Sequence, residues 1–298
     1  AMIDQNFFKH LDRLKLIIEK KVASNYVGER ESMNTGRGNA FKDHGMYTPG
    51  DDFRDIDWKV YARTDKLHIK RYEENRDLTL HIIIDYSKSM DYGEAIKKYQ
   101  YASLIGLGFA YLAMKKNELF VLSTFSDTLE PFRPERGRKK ILEAVEHLKN
   151  KKPGGGSKFK ESLLHYAKHI GSRSMIIVIS DFLYDPEEIR FALSGFKKND
   201  IILIQVLDEG EEHLKLKGEF DLRDLETSTR IKTFVDSVIK KKYQSALDDH
   251  KKKLAWTAAS IGARFYSFST DKLVYDVFYD VLRRGGEVIL RCVTLRCF

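Results

Sequence analysis

Leu78-Thr79-Leu80-His81-Ile82-Ile83-Ile84-Asp85-Tyr86-Ser87-Lys88-Ser89 is the stretch that decides the fold of this chain. A nearly unbroken apolar run ends in a carboxylate and two hydroxyls at alternate positions. The run predicts a β-strand covered on both faces, since a strand with one face in water alternates polar and apolar side chains. Its polar end then falls in the loop at the strand's carboxyl edge. A carboxylate and two hydroxyls spaced in this way can converge on one hard cation, which takes oxygen ligands in near-octahedral geometry and keeps several waters. Mg²⁺ is the expected ion, with Mn²⁺ or Ca²⁺ as alternatives, and a partner could complete its coordination.

Outward from this strand, strand-like and helix-like segments alternate. Further strands are expected over Glu118–Phe125, Ser174–Phe182, Ile201–Leu207 and Ala263–Ser269. Helices are expected over Ala95–Lys116, Arg138–Lys149, Phe159–Ile170, Glu187–Phe196, Ser237–Ser260 and Asp271–Arg284. Such alternation implies an α/β fold: a doubly wound, largely parallel sheet flanked by helices. Ligands of these sheets bind at the carboxyl ends of the strands. Three loops meet that rule and carry oxygen ligands: Asp85 to Ser89, Pro153-Gly154-Gly155-Gly156-Ser157, and Ser180-Asp181-Phe182. The segment His213–Phe234 breaks the pattern with polar–apolar alternation and reads as a solvent-facing hairpin.

The chain divides into three parts. Residues 1–77 hold a first helix (about Gln5 to Ser24) and a Gly- and charge-rich stretch from Gly28 to Thr64. Residues 78–285 form the α/β domain, and 286–298 an apolar, β-prone tail. With 298 residues, 42% of them hydrophobic, a full core can be buried. The net charge of +8 comes from 52 basic against 44 acidic residues, a mixed-sign surface that does not call for a nucleic-acid partner. Cys292 and Cys297 both lie in the tail, which leaves no disulfide in the body and suits a reducing compartment. The apolar stretch Ala102–Met114 falls short of the roughly 20 residues of a membrane span and reads as a buried helix. No signal peptide is visible, and a cytoplasmic location is expected.

Other patterns carry less. The Gly-Gly-Gly-Ser157-Lys158 loop lacks the order of a phosphate-binding loop, which needs Gly-x-x-x-x-Gly-Lys-Ser/Thr after a first strand. His165 and His169 share a helix face, but His-Glu-x-x-His is absent and no third ligand is near. The lysines 240–242 and 251–253 read as a solvated helix face. Asp85 could serve as the nucleophile of a metal-dependent phosphohydrolase, although such enzymes usually carry a second acid where this chain has Ser87. Between Asp51 and Arg63, Trp58 and Tyr61 interleave with Arg54, Asp57 and Arg63. This suggests a fixed charge network that packs the segment onto the α/β domain, with contact to a partner as the alternative.

Asp85-x-Ser87-x-Ser89, the Gly-Gly-Ser157 loop and Ser180-Asp181 together resemble the metal-ion-dependent adhesion site of von Willebrand factor A domains. The resemblance implies that Ser87 and Ser89 bind the metal directly. It puts Ser157 in place of the family's loop Thr and has Asp85 and Asp181 act directly or through water. Lys158 departs from the Asp that relatives often carry there, and a cation beside the site would disfavour metal. The stretch Tyr47-Thr48-Pro49-Gly50-Asp51-Asp52-Phe53-Arg54-Asp55-Ile56-Asp57-Trp58-Lys59-Val60-Tyr61-Ala62-Arg63, continuing into Leu67-His68-Ile69-Lys70-Arg71-Tyr72-Glu73-Glu74, resembles the signature of the bacterial domain of unknown function 58. That resemblance implies a cytoplasmic, chaperone-like adaptor. Its expected partners are a MoxR-type AAA+ ATPase and a client protein offering a carboxylate to the metal, and it is not itself an enzyme.

Overall fold

The computed structural model describes residues 41–49, 51–72, 79–127, 129–130, 135–156, 158–171, 173–214, 218–223 and 230–284. They fall into two units that divide at about Leu78. The expected first helix, Ser157 and the apolar tail lie outside the described residues.

In the smaller unit, β1 (Phe41–Met46) pairs antiparallel with β2 (His68–Tyr72). Between them lie a 3-10 turn (Phe53–Asp55) and the short helix α1 (Trp58–Thr64). Each starts at an aspartate that caps free amides: Asp52 accepts from the Arg54 N–H, and Asp57 from those of Lys59 and Val60. Asp57 also meets His44 Nε2 at 3.0 Å and Lys70 Nζ at 3.7 Å, and the His44 bond leads the causes that lower its pKa to about 2. A charge network is therefore present, but its members differ from those expected. Asp57 is tied to His44 and Lys70 within this unit, while Arg54 and Arg63 are exposed. Trp58 is 61% exposed and stands edge-on to Tyr61.

The larger unit alternates as expected. Its first half runs β3 (Leu80–Asp85), α2 (Lys98–Lys115), β4 (Phe120–Phe125), β5 (Leu129–Glu130), α3 (Arg138–Asn150) and α4 (Phe159–Ala167). Its second half runs β6 (Met175–Ser180), α5 (Pro186–Leu193), β7 (Asp200–Leu207), α6 (Glu209–His213), β8 (Gly218–Arg223), β9 (Arg230–Val235), α7 (Ser237–Ser260), β10 (Arg264–Ser269) and α8 (Val274–Arg284). The main sheet has the order β10-β7-β6-β3-β4-β5, parallel except for β5. The two-residue β5 and the short α6 carry too little pattern to be foreseen. The hairpin expected over 213–234 is β8 against β9.

β3 lies inside the sheet, and its six residues are buried. Successive strand side chains point to opposite faces. Ile82 and Ile84 thus join one core with α2, α3 and α8, and Ile83 joins the other with α4, α5 and α7. The apolar stretch Ala102–Met114 is part of α2, which is buried on nearly every side. Two glycines permit that burial. A Cβ on Gly106 would meet Ile84 Cδ1 at 2.6 Å, and one on Gly108 would meet the Phe278 ring at 2.0 Å. Among the described residues no helix is long and apolar enough to cross a membrane.

Candidate functional site

β3 continues to β4 on one side, while β6 lies on its other side, so connections diverge at the β3–β6 boundary. Open α/β sheets form their binding crevice at such a boundary. Here it brings Asp85, at the end of β3, beside Ser180 and Asp181, at the end of β6. Asp85 is fully buried, and three protein donors serve it. The Ser87 N–H donates to Oδ1 at 2.8 Å, while Ser180 Oγ at 2.7 Å and Tyr184 OH at 2.6 Å donate to Oδ2. Burial and the neighbouring Asp181 carboxylate push its pKa up to about 6, against the bonds from Tyr184 and Ser87. With both oxygens engaged, Asp85 is poorly placed to attack a phosphoryl group.

The hydroxyls lie in the next turn. Ser87 precedes a 3-10 turn (Lys88–Met90), and its Oγ lies 3.1 Å from Ser89 Oγ. Ser89 does not cap the following helix, which starts only at Lys98. The glycine loop is fastened alongside: the Gly154 N–H donates to the Tyr86 carbonyl at 3.0 Å, and the Lys88 N–H to the Gly155 carbonyl at 3.3 Å. Gly155 has φ +74°, and a Cβ there would meet Asp127 Oδ2 at 1.8 Å. Only glycine suits that position. The loop carrying Ser157 is thus held against the Asp85–Ser89 turn, although Ser157 itself lies outside the described residues.

Lys158 is exposed, and its N–H donates to the Ser126 carbonyl. A second lysine lies at the end of the strand that carries Asp181. Lys98, the first residue of α2, has no exposed surface. Its Nζ lies 3.0 Å from Asp181 Oδ2 and 2.8 Å from Glu211 Oε1 on α6. Burial alone would depress the ammonium, but the two carboxylates together raise its pKa. Burial raises the Glu211 carboxyl above its ordinary value, against the pull of the Lys98 ammonium 2.8 Å away.

The rest of Asp181 is also fixed. Gln205 Nε2 donates to its carbonyl at 2.8 Å, and Ser267 Oγ holds Gln205 Oε1 at 2.9 Å. Phe182 follows in the left-handed region, with φ 49°. Its N–H donates to Ser180 Oγ, its carbonyl bonds His250 Nε2, and its ring packs edge-on to Phe159. These contacts hold a conformation that a bulky residue adopts rarely.

Sequence reasoning missed Lys98, Glu211 and Tyr184. One signal was available for Lys98: it stands four and seven residues before Ala102 and Ile105, and so in line with a buried stripe of the helix. Nothing local marks Glu211 or Tyr184, whose partners are 113 and 99 residues away.

The donor set fits a hard divalent ion. Adjacent oxygens of an octahedron with bonds of about 2.1 Å stand roughly 3.0 Å apart, close to the 3.1 Å between the Ser87 and Ser89 hydroxyls. Asp85, Asp181 and Glu211 bring three carboxyl groups to the edge against the one ammonium of Lys98, an acidic surplus that a divalent ion would offset. Among the described residues no group of three or more His, Cys, Asp or Glu side chains could hold a metal, so the two hydroxyls would be essential to binding.

Comparison with known proteins finds relatives of this chain. A family model described as "Protein of unknown function DUF58" matches residues 43–253. The uncharacterized protein Rv1480 of Mycobacterium tuberculosis (strain ATCC 25618 / H37Rv) is 24% identical over 278 residues, covering 92% of this chain and 87% of the relative. Among solved structures, the SpRpn10 VWA domain aligns with a TM-score of 0.44 at 16% identity, over 69% of this chain and 95% of that one. The conserved hypothetical protein BatB from Bacteroides thetaiotaomicron aligns with a TM-score of 0.42 at 13% identity, over 70% and 99%.

Proposed function

Because this chain belongs to the DUF58 family of unknown function, we propose that it is a metal-dependent protein–protein interaction module. In this reading it is an adaptor that couples a MoxR-type AAA+ ATPase to client proteins in chaperone-like maturation, and not an enzyme. The observation that carries it is the edge itself: two hydroxyls at ligand spacing beside two buried carboxyl groups, Asp85 and Asp181, the second of which also holds the Lys98 ammonium. Ser87 and Ser89 would bind a Mg²⁺-like ion directly, with Ser157 as a third hydroxyl, and Asp85 and Asp181 would act directly or through water. A bound divalent ion would supply an electrophilic coordination position that a carboxylate of the partner can fill. The chain's own part is orientation. Ser180 and Tyr184 aim Asp85, Gln205 holds the Asp181 backbone, and the glycine loop pins the turn that carries both serines.

The test is a pull-down with the full chain from native lysate in Mg²⁺ and in EDTA, with Ser87→Ala as control and bound proteins identified by mass spectrometry. The reading expects a MoxR-type ATPase captured by wild type in Mg²⁺ and lost in EDTA and in the variant. Capture of the same ATPase regardless of metal and of Ser87 would overturn it.

A further inference from the structure

Lys98 is a buried charge at this edge that a docking role does not require. It is held rigidly, because α2 is wedged between the sheet and α8 by the close approaches at Gly106 and Gly108. From there its ammonium reaches Asp181 Oδ2 at 3.0 Å and Glu211 Oε1 at 2.8 Å, with the Tyr92 ring 5.9 Å away. An ammonium carries three donors and accepts nothing, so two of its three bonds go to carboxylates. Among the described residues, the other oxygen of Asp181 takes only a long contact from the Leu183 N–H, at 3.4 Å. Asp181 is thus the point at which a fixed internal cation and an incoming one need the same carboxylate.

We propose that Lys98 is an internal competitor for Asp181, whose ammonium sets how tightly the sheet edge holds a divalent cation. The proposal rests on the metal reading above and deepens it: the native edge is a weakened site, kept so by a lysine that cannot leave. Glu211 moderates the competition by sharing the ammonium. A purely structural lysine would pin α2 to α6 and would leave metal affinity unchanged when replaced.

The experiment is a Mn²⁺ titration of the full chain, by calorimetry and by electron paramagnetic resonance of the free ion. Wild type is compared with the double variant Lys98→Met/Glu211→Gln, and each with Ser87→Ala added. The double variant keeps the net charge of the cluster, so a gain in affinity would come from freeing Asp181 and not from added negative charge. Exchange of a buried ion pair for neutral groups is often tolerated, and Lys98→Gln/Glu211→Gln serves if the Met variant does not fold. The expected result is Mn²⁺ binding at least tenfold tighter in the double variant, lost on adding Ser87→Ala. Equal or weaker binding than wild type overturns the proposal while leaving the metal reading intact. Binding by the double variant alone upholds the competition and refutes a metal-dependent role for the native edge. If neither protein takes up Mn²⁺, or if Ser87→Ala has no effect, both ideas fall.

Discussion

At the scale of single residues, the larger unit keeps several polar groups in its interior by giving them distant partners. Tyr184 is the sharpest case, with its hydroxyl on the buried Asp85 carboxylate. Hydrogen bonds to charged groups contribute about 1.5–3 kcal/mol. Tyr184→Phe is therefore expected to lower stability by about 2 kcal/mol in urea unfolding without changing the circular dichroism of the native state. His81 is buried on β3, with Nδ1 2.8 Å from Tyr166 OH, and burial pulls its pKa from 6.5 down to about 4. The unfolded chain takes up this proton at a higher pH than the folded one. The histidine thus has no effect above about pH 6.5 and destabilises the fold progressively as pH falls towards 4. At pH 5 the loss attributable to His81 should be about 2 kcal/mol. Unfolding of wild type and His81→Gln at pH 7 and pH 5 measures it, since the variant lacks that share of the acid sensitivity. An identical acid sensitivity in the two proteins would contradict the assignment.

At the scale of elements, the glycines of α2 decide how near the helix comes to its neighbours. Alanine in a helix gains up to about 1 kcal/mol over glycine, but overpacking a core costs about 1–3 kcal/mol. At Gly108 the new methyl would enter the Phe278 ring, so Gly108→Ala should destabilise by about 2 kcal/mol. At Gly106 it meets the flexible end of Ile84 and lies 3.2 Å from Ile82 Cγ2, and Gly106→Ala should stay within about 1 kcal/mol of wild type. Denaturant midpoints of the two variants give the order directly. The elements themselves were largely legible. Apolar runs such as Met175–Ile179 and Ile201–Ile204 announced covered strands, and α2 showed as a buried helix because its apolar stretch was too short for a membrane. Legibility ended where contacts became long-range. The Asp85, Ser87, Ser89 and Asp181 set was readable as motif, since each residue ends a strand or begins its loop. Lys98 was not, because its role depends on Asp181, 83 residues later.

At the scale of the whole molecule, an ion bound only by the folded state adds to its stability by mass action. Mn²⁺ at one hundred times its dissociation constant should raise the unfolding free energy by about 2.7 kcal/mol. Ser87→Ala should remove that gain, as differential scanning calorimetry with and without the ion would report. An increase that survives the substitution would place the ion elsewhere. The buried triad of Lys98, Asp181 and Glu211 also bears on the order in which the chain assembles. Lys98 leaves the ribosome 83 residues ahead of Asp181 and 113 ahead of Glu211. At roughly 5–20 residues per second the nearer carboxylate follows about 4–17 s later. Sealing an ammonium into the interior without a counter-charge is costly by several kcal/mol. Closing helix α2 over β3 before β6 has been made would carry that cost, so Lys98 would favour a sheet left open until the strand that completes its centre arrives.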